Sequence, residues 1–193
     1  MKSRLKTLGT LGVMLLIISS CINSEKRNNS ANQNSSDENP LSVLNESENA
    51  IANQTDAILT TYLFLKDALV NDDGKIAAEA GDDLTRQLKD FESDSYDESD
   101  QEKLNEIVKD AARRAQYISE NTIDLQRKYF DALSNDIIDL IAIVGTTKKL
   151  YQVYCPMYNN DKGAQWLSDT EEIKNPYFGN EKMSCGEIVK EIN

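Results

Sequence analysis

Four sulfur-bearing residues near the C-terminal end form the pattern with the most chemical content. The chain holds three cysteines and four methionines. Setting aside Met1, Met14 and Cys21, each remaining methionine lies two residues from a remaining cysteine, in Cys155-Pro156-Met157 and Met183-Ser184-Cys185. In extended chain, residues i and i+2 point to the same side. Each triplet would then present one thiolate and one thioether together. These are soft ligands, and such a set selects Cu(I) over zinc, calcium or magnesium. The spacing therefore predicts a metal site built from Cys155, Met157, Met183 and Cys185. Trp166 would shield it, since an indole face attracts a bound cation.

The same residues carry a second reading. Two cysteines in an oxidising compartment usually pair. A Cys155–Cys185 bridge would close a loop of about 30 residues and add about 2–4 kcal/mol. The methionines would then be ordinary core filling, and Trp166 the anchor of a small core. A bridge removes both thiolates, so the two readings exclude each other, and sequence alone leaves both open.

Other chemistry is narrowed by what the chain lacks. There is no histidine. That removes most general-base chemistry at neutral pH, every His-dependent nucleophile and the usual His-containing zinc and Cu(II) sites. There is no Gly-rich phosphate loop and no C-x-x-C pair. The acidic stretch from Glu92 to Ser99 lacks the central glycine of a hand-type calcium loop. No enzyme is expected. Arg127, near a heptad seam, needs a partner, and Asp131 at i+4 is the expected one.

The N-terminal residues speak to location. Lys2, Arg4 and Lys6 precede an apolar run from Leu11 to Ile18, the layout of a signal peptide and too short to span a bilayer. Ile18-Ser19-Ser20-Cys21 resembles the lipobox of bacterial lipoproteins. That likeness implies cleavage before Cys21 and acylation of its thiol and amino group. Two or more acyl chains anchor a protein stably. Ile22, rather than an acidic residue, follows the cysteine and points to the outer membrane. Residues 1–20 are thus expected to be a lipoprotein signal peptide, and 21–45 a lipidated cysteine with a disordered tether.

The formal net charge is −12. Removing three basic leader residues leaves 18 basic against 33 acidic, or −15. A nucleic-acid partner is excluded by this acidity. The membrane partner must be reached through the lipid, although cationic partners fit the charge.

Residues 46–193 are expected to form one domain. Ile51, Thr55, Ile58, Tyr62, Leu65 and Leu69 mark one helical face, ended by Asn71-Asp72-Asp73-Gly74. Ala77, Ala80, Leu84, Leu88 and Phe91 mark a second, whose alanines allow close approach. Leu104, Ile107, Val108, Ala111, Ala115 and Ile118 mark a third. The fourth repeats every seven residues through Ile123, Phe130, Ile137 and Val144, with Leu133 and Leu140 between. Short connections make this a mainly α fold, an antiparallel up-down four-helix bundle. Residues from about 148 to 193 read as a small irregular C-terminal cap with room for a short β-hairpin, closing in a short helix from Gly186.

The cap motifs Cys155-Pro156-Met157, Gly163-Ala164-x-Trp166-Leu167-Ser168, Ile173-x-Asn175-Pro176-Tyr177-Phe178-Gly179 and Met183-x-Cys185-Gly186 resemble the ending of a bacterial family, domain of unknown function 3347. Tyr62-Leu63-x-Leu65-Lys66-Asp67-Ala68-Leu69-Val70 and Gln126-Arg127-x-x-Phe130-x-x-Leu133-Ser134 resemble it too. The likeness spans roughly residues 55 to 190. It implies no assigned activity. It implies a secreted or lipidated envelope protein of a Gram-negative bacterium. It also implies a link to periplasmic adaptor subunits of heavy-metal efflux pumps, which as analogy favours copper or a related soft metal.

Overall fold

The computed structural model describes residues 40–192, with side chains described over 52–192. The leader, Cys21 and most of the expected tether lie outside the described residues. Among those described, no helix is long and apolar enough to cross a membrane.

Four helices form where the periodicity places them: α1 (Pro40–Val70), α2 (Gly74–Lys89), α3 (Glu98–Ser119) and α4 (Ile123–Val144). Helix α1 starts inside the segment read as tether. Pro40 is its first residue, a position that proline tolerates because no intrahelical N–H is needed there. Asp73 caps α2 by accepting from the Ile76 N–H at 3.0 Å, and Asp97 caps α3 from the Asp100 N–H at 3.0 Å. Gly145, at φ 79°, ends α4. Linkers this short turn each helix back along its predecessor, giving the up-down bundle.

The core follows the stripes. Phe130, Leu133, Ile137 and Leu140 of the heptad seam are buried, as are Leu84, Leu88, Leu104 and Ile118. The alanine faces of α2 and α3 meet closely. A Cβ on Gly81 would lie 2.9 Å from the Ala115 carbonyl oxygen, so only glycine fits this approach.

The cap is more regular than expected. Strands β1 (Leu150–Cys155), β2 (Ala164–Ser168) and β3 (Glu187–Ile192) form an antiparallel sheet in the order β2-β1-β3. The expected hairpin is β1–β2. The expected helix from Gly186 is instead β3. Its charged residues suit a helix, but Ile188, Val189 and Ile192 are β-branched and find a partner in β1. Trp166 and Leu167 of β2 are buried in the bundle core. Tyr62 of α1 stacks on Phe130 of α4, and its hydroxyl shares a 2.7 Å hydrogen bond with Ser134. That same oxygen accepts from the Leu167 N–H at 3.2 Å, so a side chain satisfies a backbone group that no strand pairs.

Arg127 has a different partner from the one expected. It does not pair with Asp131. Its guanidinium donates to the Leu69 carbonyl at 2.9 Å, to the Pro176 carbonyl at 2.9 Å and to the Asp72 carboxylate. Asp72 also accepts from Asn180. The Pro176 carbonyl, a second bond to the Leu69 carbonyl (which also accepts from the Asp72 N–H) and a carboxylate together outweigh one surface pair on the same helix. The result ties the α1–α2 turn, α4 and the cap together. The Arg127 hydrogen bond holds the Asp72 carboxyl below the usual carboxylate range.

Candidate functional site

Cys155 closes β1, is buried, and is joined by a disulfide to Cys185, with Cα atoms 5.7 Å apart. That separation is the usual one for a bridge. Cys185 is delivered by a turn through Met183-Ser184, and Asn175 organises this turn. The Asn175 N–H donates to the Met183 carbonyl at 2.8 Å, and its side-chain amide donates to the Cys185 carbonyl at 2.7 Å. Its amide oxygen accepts from the Tyr177 and Phe178 N–H groups. Asn175 is fully buried. One side chain thus sets both arms of the cap segment, a role that sequence reasoning missed. Its signals were its place before Pro176 and its membership of the cap motif.

Trp166 is fully buried and lies edge-on to Tyr177, with ring centroids 5.8 Å apart. A Cβ on Gly186 would come within 2.8 Å of its ring. Glycine after Cys185 therefore lets the bridged segment cross the indole. Trp166, which the sequence placed as the shield of a metal site or the anchor of a small core, packs here against Tyr177 and the backbone after Cys185.

The extended geometry assumed for the sulfur triplets does not hold. β1 ends at Cys155, and Met157 has helical backbone angles, φ −84° and ψ −13°. Cys155 is 0% exposed and Met157 48% exposed, so the thioether turns away from the bridge. With the cysteines bonded to each other, no thiolate is offered. In this form the four sulfurs do not fit a Cu(I) ligand set. Among the described residues, no group of three or more Cys, Asp or Glu side chains is placed to hold a metal ion.

Met157 instead lines a cleft of about 620 Å³, within the range of ligand sites. Lys128 and Asp131 of α4 form one wall. Met157, Tyr158, Asn159 and Asn160 form the other, with Phe178 at the end. Tyr158 stacks on Tyr177 at 4.4 Å and meets Phe178 edge-on at 5.8 Å. The turn beside them is strained. Asn159, Asn160 and Asp161 all adopt left-handed backbone, with φ of 54°, 55° and 62°. Asn and Asp tolerate this region best, yet each such residue costs on the order of 1 kcal/mol or more. Strain of this kind persists where the surroundings enforce it and gathers at binding sites.

Asp131 is the other unusual group. It is half-buried, and burial raises its carboxyl above the ordinary range with no opposing cation. The hydrogen bond it accepts from Asn135 goes to its backbone carbonyl. Burial, then the nearby Asp131 charge, raises the Tyr158 hydroxyl as well. The sequence reading had spent Asp131 on Arg127 and so missed it here.

No curated protein and no solved structure matches the chain. The cap, whose motifs carried much of the expected likeness over 55–190, lies outside the span that is matched. Within that span the bundle region of the chain, residues 58–149, matches the family described as a protein of unknown function (DUF3347).

Proposed function

We propose that this chain is a non-catalytic binding module of the cell envelope of a Gram-negative bacterium, lipid-anchored at Cys21 in the outer membrane. Its disulfide-stapled cap presents the cleft beside α4 to a partner. The observation that carries this reading is the Cys155–Cys185 bridge. It converts the only paired thiols into a structural staple and leaves the strained turn and cleft as the exposed chemistry of the cap. The lack of histidine supports a binding role over catalysis. A periplasmic efflux adaptor is the partner that the family resemblance implies.

A second reading, handling of Cu(I) in connection with heavy-metal efflux, is favoured by one feature, the exposed thioether of Met157. It requires the bridge to be reduced. Cu(I) titration against a competing chelator, on the oxidised and the reduced full chain, separates the two. The binding-module reading expects no Cu(I) binding that depends on Met157 and Met183 in either form. Tight stoichiometric binding by the reduced chain, lost in Met157→Leu/Met183→Leu, would replace it with metal handling. That double variant nearly conserves volume and should leave stability nearly unchanged.

A further inference from the structure

Resting on the binding-module reading, we infer that the cleft between α4 and the 157–160 turn recognises a cationic side chain, lysine or arginine, projecting from an extended segment of a partner protein. Three observations converge on this chemistry. Asp131 puts a carboxylate in the wall, partly withdrawn from water and without an ion-pair partner among the described residues. An unpaired carboxylate in such a place is a standing electrostatic deficit that an incoming cation removes.

The walls next to it are aromatic. Tyr158 and Phe178 offer π faces and edges at the cleft, and such faces attract ammonium and guanidinium groups. Phe178 already does so within the chain, since the Lys182 ammonium sits 4.7 Å from its ring centroid. The stems of lysine and arginine are apolar and match the Met157 wall. The third observation is charge. A chain expected to carry −15 in mature form draws cationic partners and repels acidic ones.

The remaining lining groups suit a peptide rather than a free amine. Asn159 and Asn160 in the opposite wall carry side-chain amides able to donate to and accept from a peptide backbone. The volume exceeds one side chain and admits the residues that flank it. Lys128 shares the α4 wall with Asp131 but makes no ion pair with it, so the Asp131 carboxylate stays open to an incoming cation.

The test uses the full chain carrying Cys21→Ser, oxidised, and follows backbone amide shifts by NMR. The probes are acetyl-glycyl-lysyl-glycinamide and its norleucyl and glutamyl counterparts. The lysyl peptide should shift Asn159, Asn160 and Phe178 saturably. The norleucyl peptide should bind at least about tenfold more weakly, as should the lysyl peptide to Asp131→Asn. Asp139→Asn removes the same charge from an exposed site elsewhere on α4 and should change nothing. Equal binding of the norleucyl peptide would overturn the cationic assignment, as would preference for the glutamyl peptide or no binding at all. Equal losses in Asp131→Asn and Asp139→Asn would reduce the effect to net charge and overturn it too. The peptide comparison needs no cleft variant, so it holds even if Asp131→Asn fails to fold. A wrong binding-module reading shows itself elsewhere, as Met-dependent capture of Cu(I) by the reduced chain.

Discussion

Opening the Cys155–Cys185 bridge should destabilise the protein by an amount that its loop sets. The two cysteines are 30 residues apart in sequence. Loop-closure entropy for that length corresponds to about 3.6 kcal/mol at 25 °C. For a domain of this size each kcal/mol moves the midpoint by about 2–4 °C, so the fall should be about 7–14 °C. The assay is thermal unfolding of the wild type with and without reductant, beside Cys155→Ala/Cys185→Ala. The reduced wild type and the double variant should melt together, below the oxidised wild type. The double variant should ignore the reductant, and thiol titration of the unfolded oxidised chain should find Cys155 and Cys185 unreactive. Two reactive thiols there, with one midpoint for all three samples, would refute the staple and everything argued from it.

Three further outcomes follow from the packing. Gly81→Ala gains about 1 kcal/mol of helix propensity. It also drives a Cβ to 2.9 Å from the Ala115 oxygen and 3.0 Å from the Ser119 nitrogen, both backbone, so denaturant melts should show a net loss of about 1–2 kcal/mol. Tyr62→Phe leaves the Ser134 hydroxyl and the Leu167 N–H without their partner and should lose about 1–3 kcal/mol in the same assay. Arg127→Leu frees the Pro176 carbonyl, removes one of the two bonds to the Leu69 carbonyl and unpairs Asp72, and should lose about 2–3 kcal/mol at pH 7. Because Asp72 has a lowered folded-state pKa, its contribution is present above the ordinary carboxylate pKa and lost as pH falls through the lower folded value. The gap between wild type and Arg127→Leu should therefore narrow below about pH 4 in urea melts at stepped pH.

The helices were legible because their signal is local and repetitive. The Phe130–Ile137 seam with Leu133 and Leu140 states its period several times over, and all four residues are buried. The cap offers no such repetition. Glu187 to Ile192 is short, and its charged residues fit a helix as well as a strand. What decides is β1, more than thirty residues earlier, and that pairing is invisible to a local window. Arg127 failed for a related reason. Asp131 lies one turn away, whereas Asp72 lies 55 residues away and becomes available only once the α1–α2 turn is folded. The sulfur motif was legible as a pair of cysteines. Its geometry was not, because Pro156-Met157 leaves the strand direction at once and Met157 parts from Cys155.

The single tryptophan gives this architecture an optical consequence. Trp166 is fully buried in β2 against the bundle, while the helical content resides in α1 to α4. Its emission therefore reports solvent entry at the cap–bundle seam, and far-ultraviolet dichroism reports the loss of helices. The Arg127 tie and the Tyr62 hydroxyl span that seam. The two signals should accordingly fall together while these contacts stand. They should separate, tryptophan first, in any variant that undocks the sheet before the helices melt. The chain thus carries, without labels, the means to measure the cooperativity between its two layers.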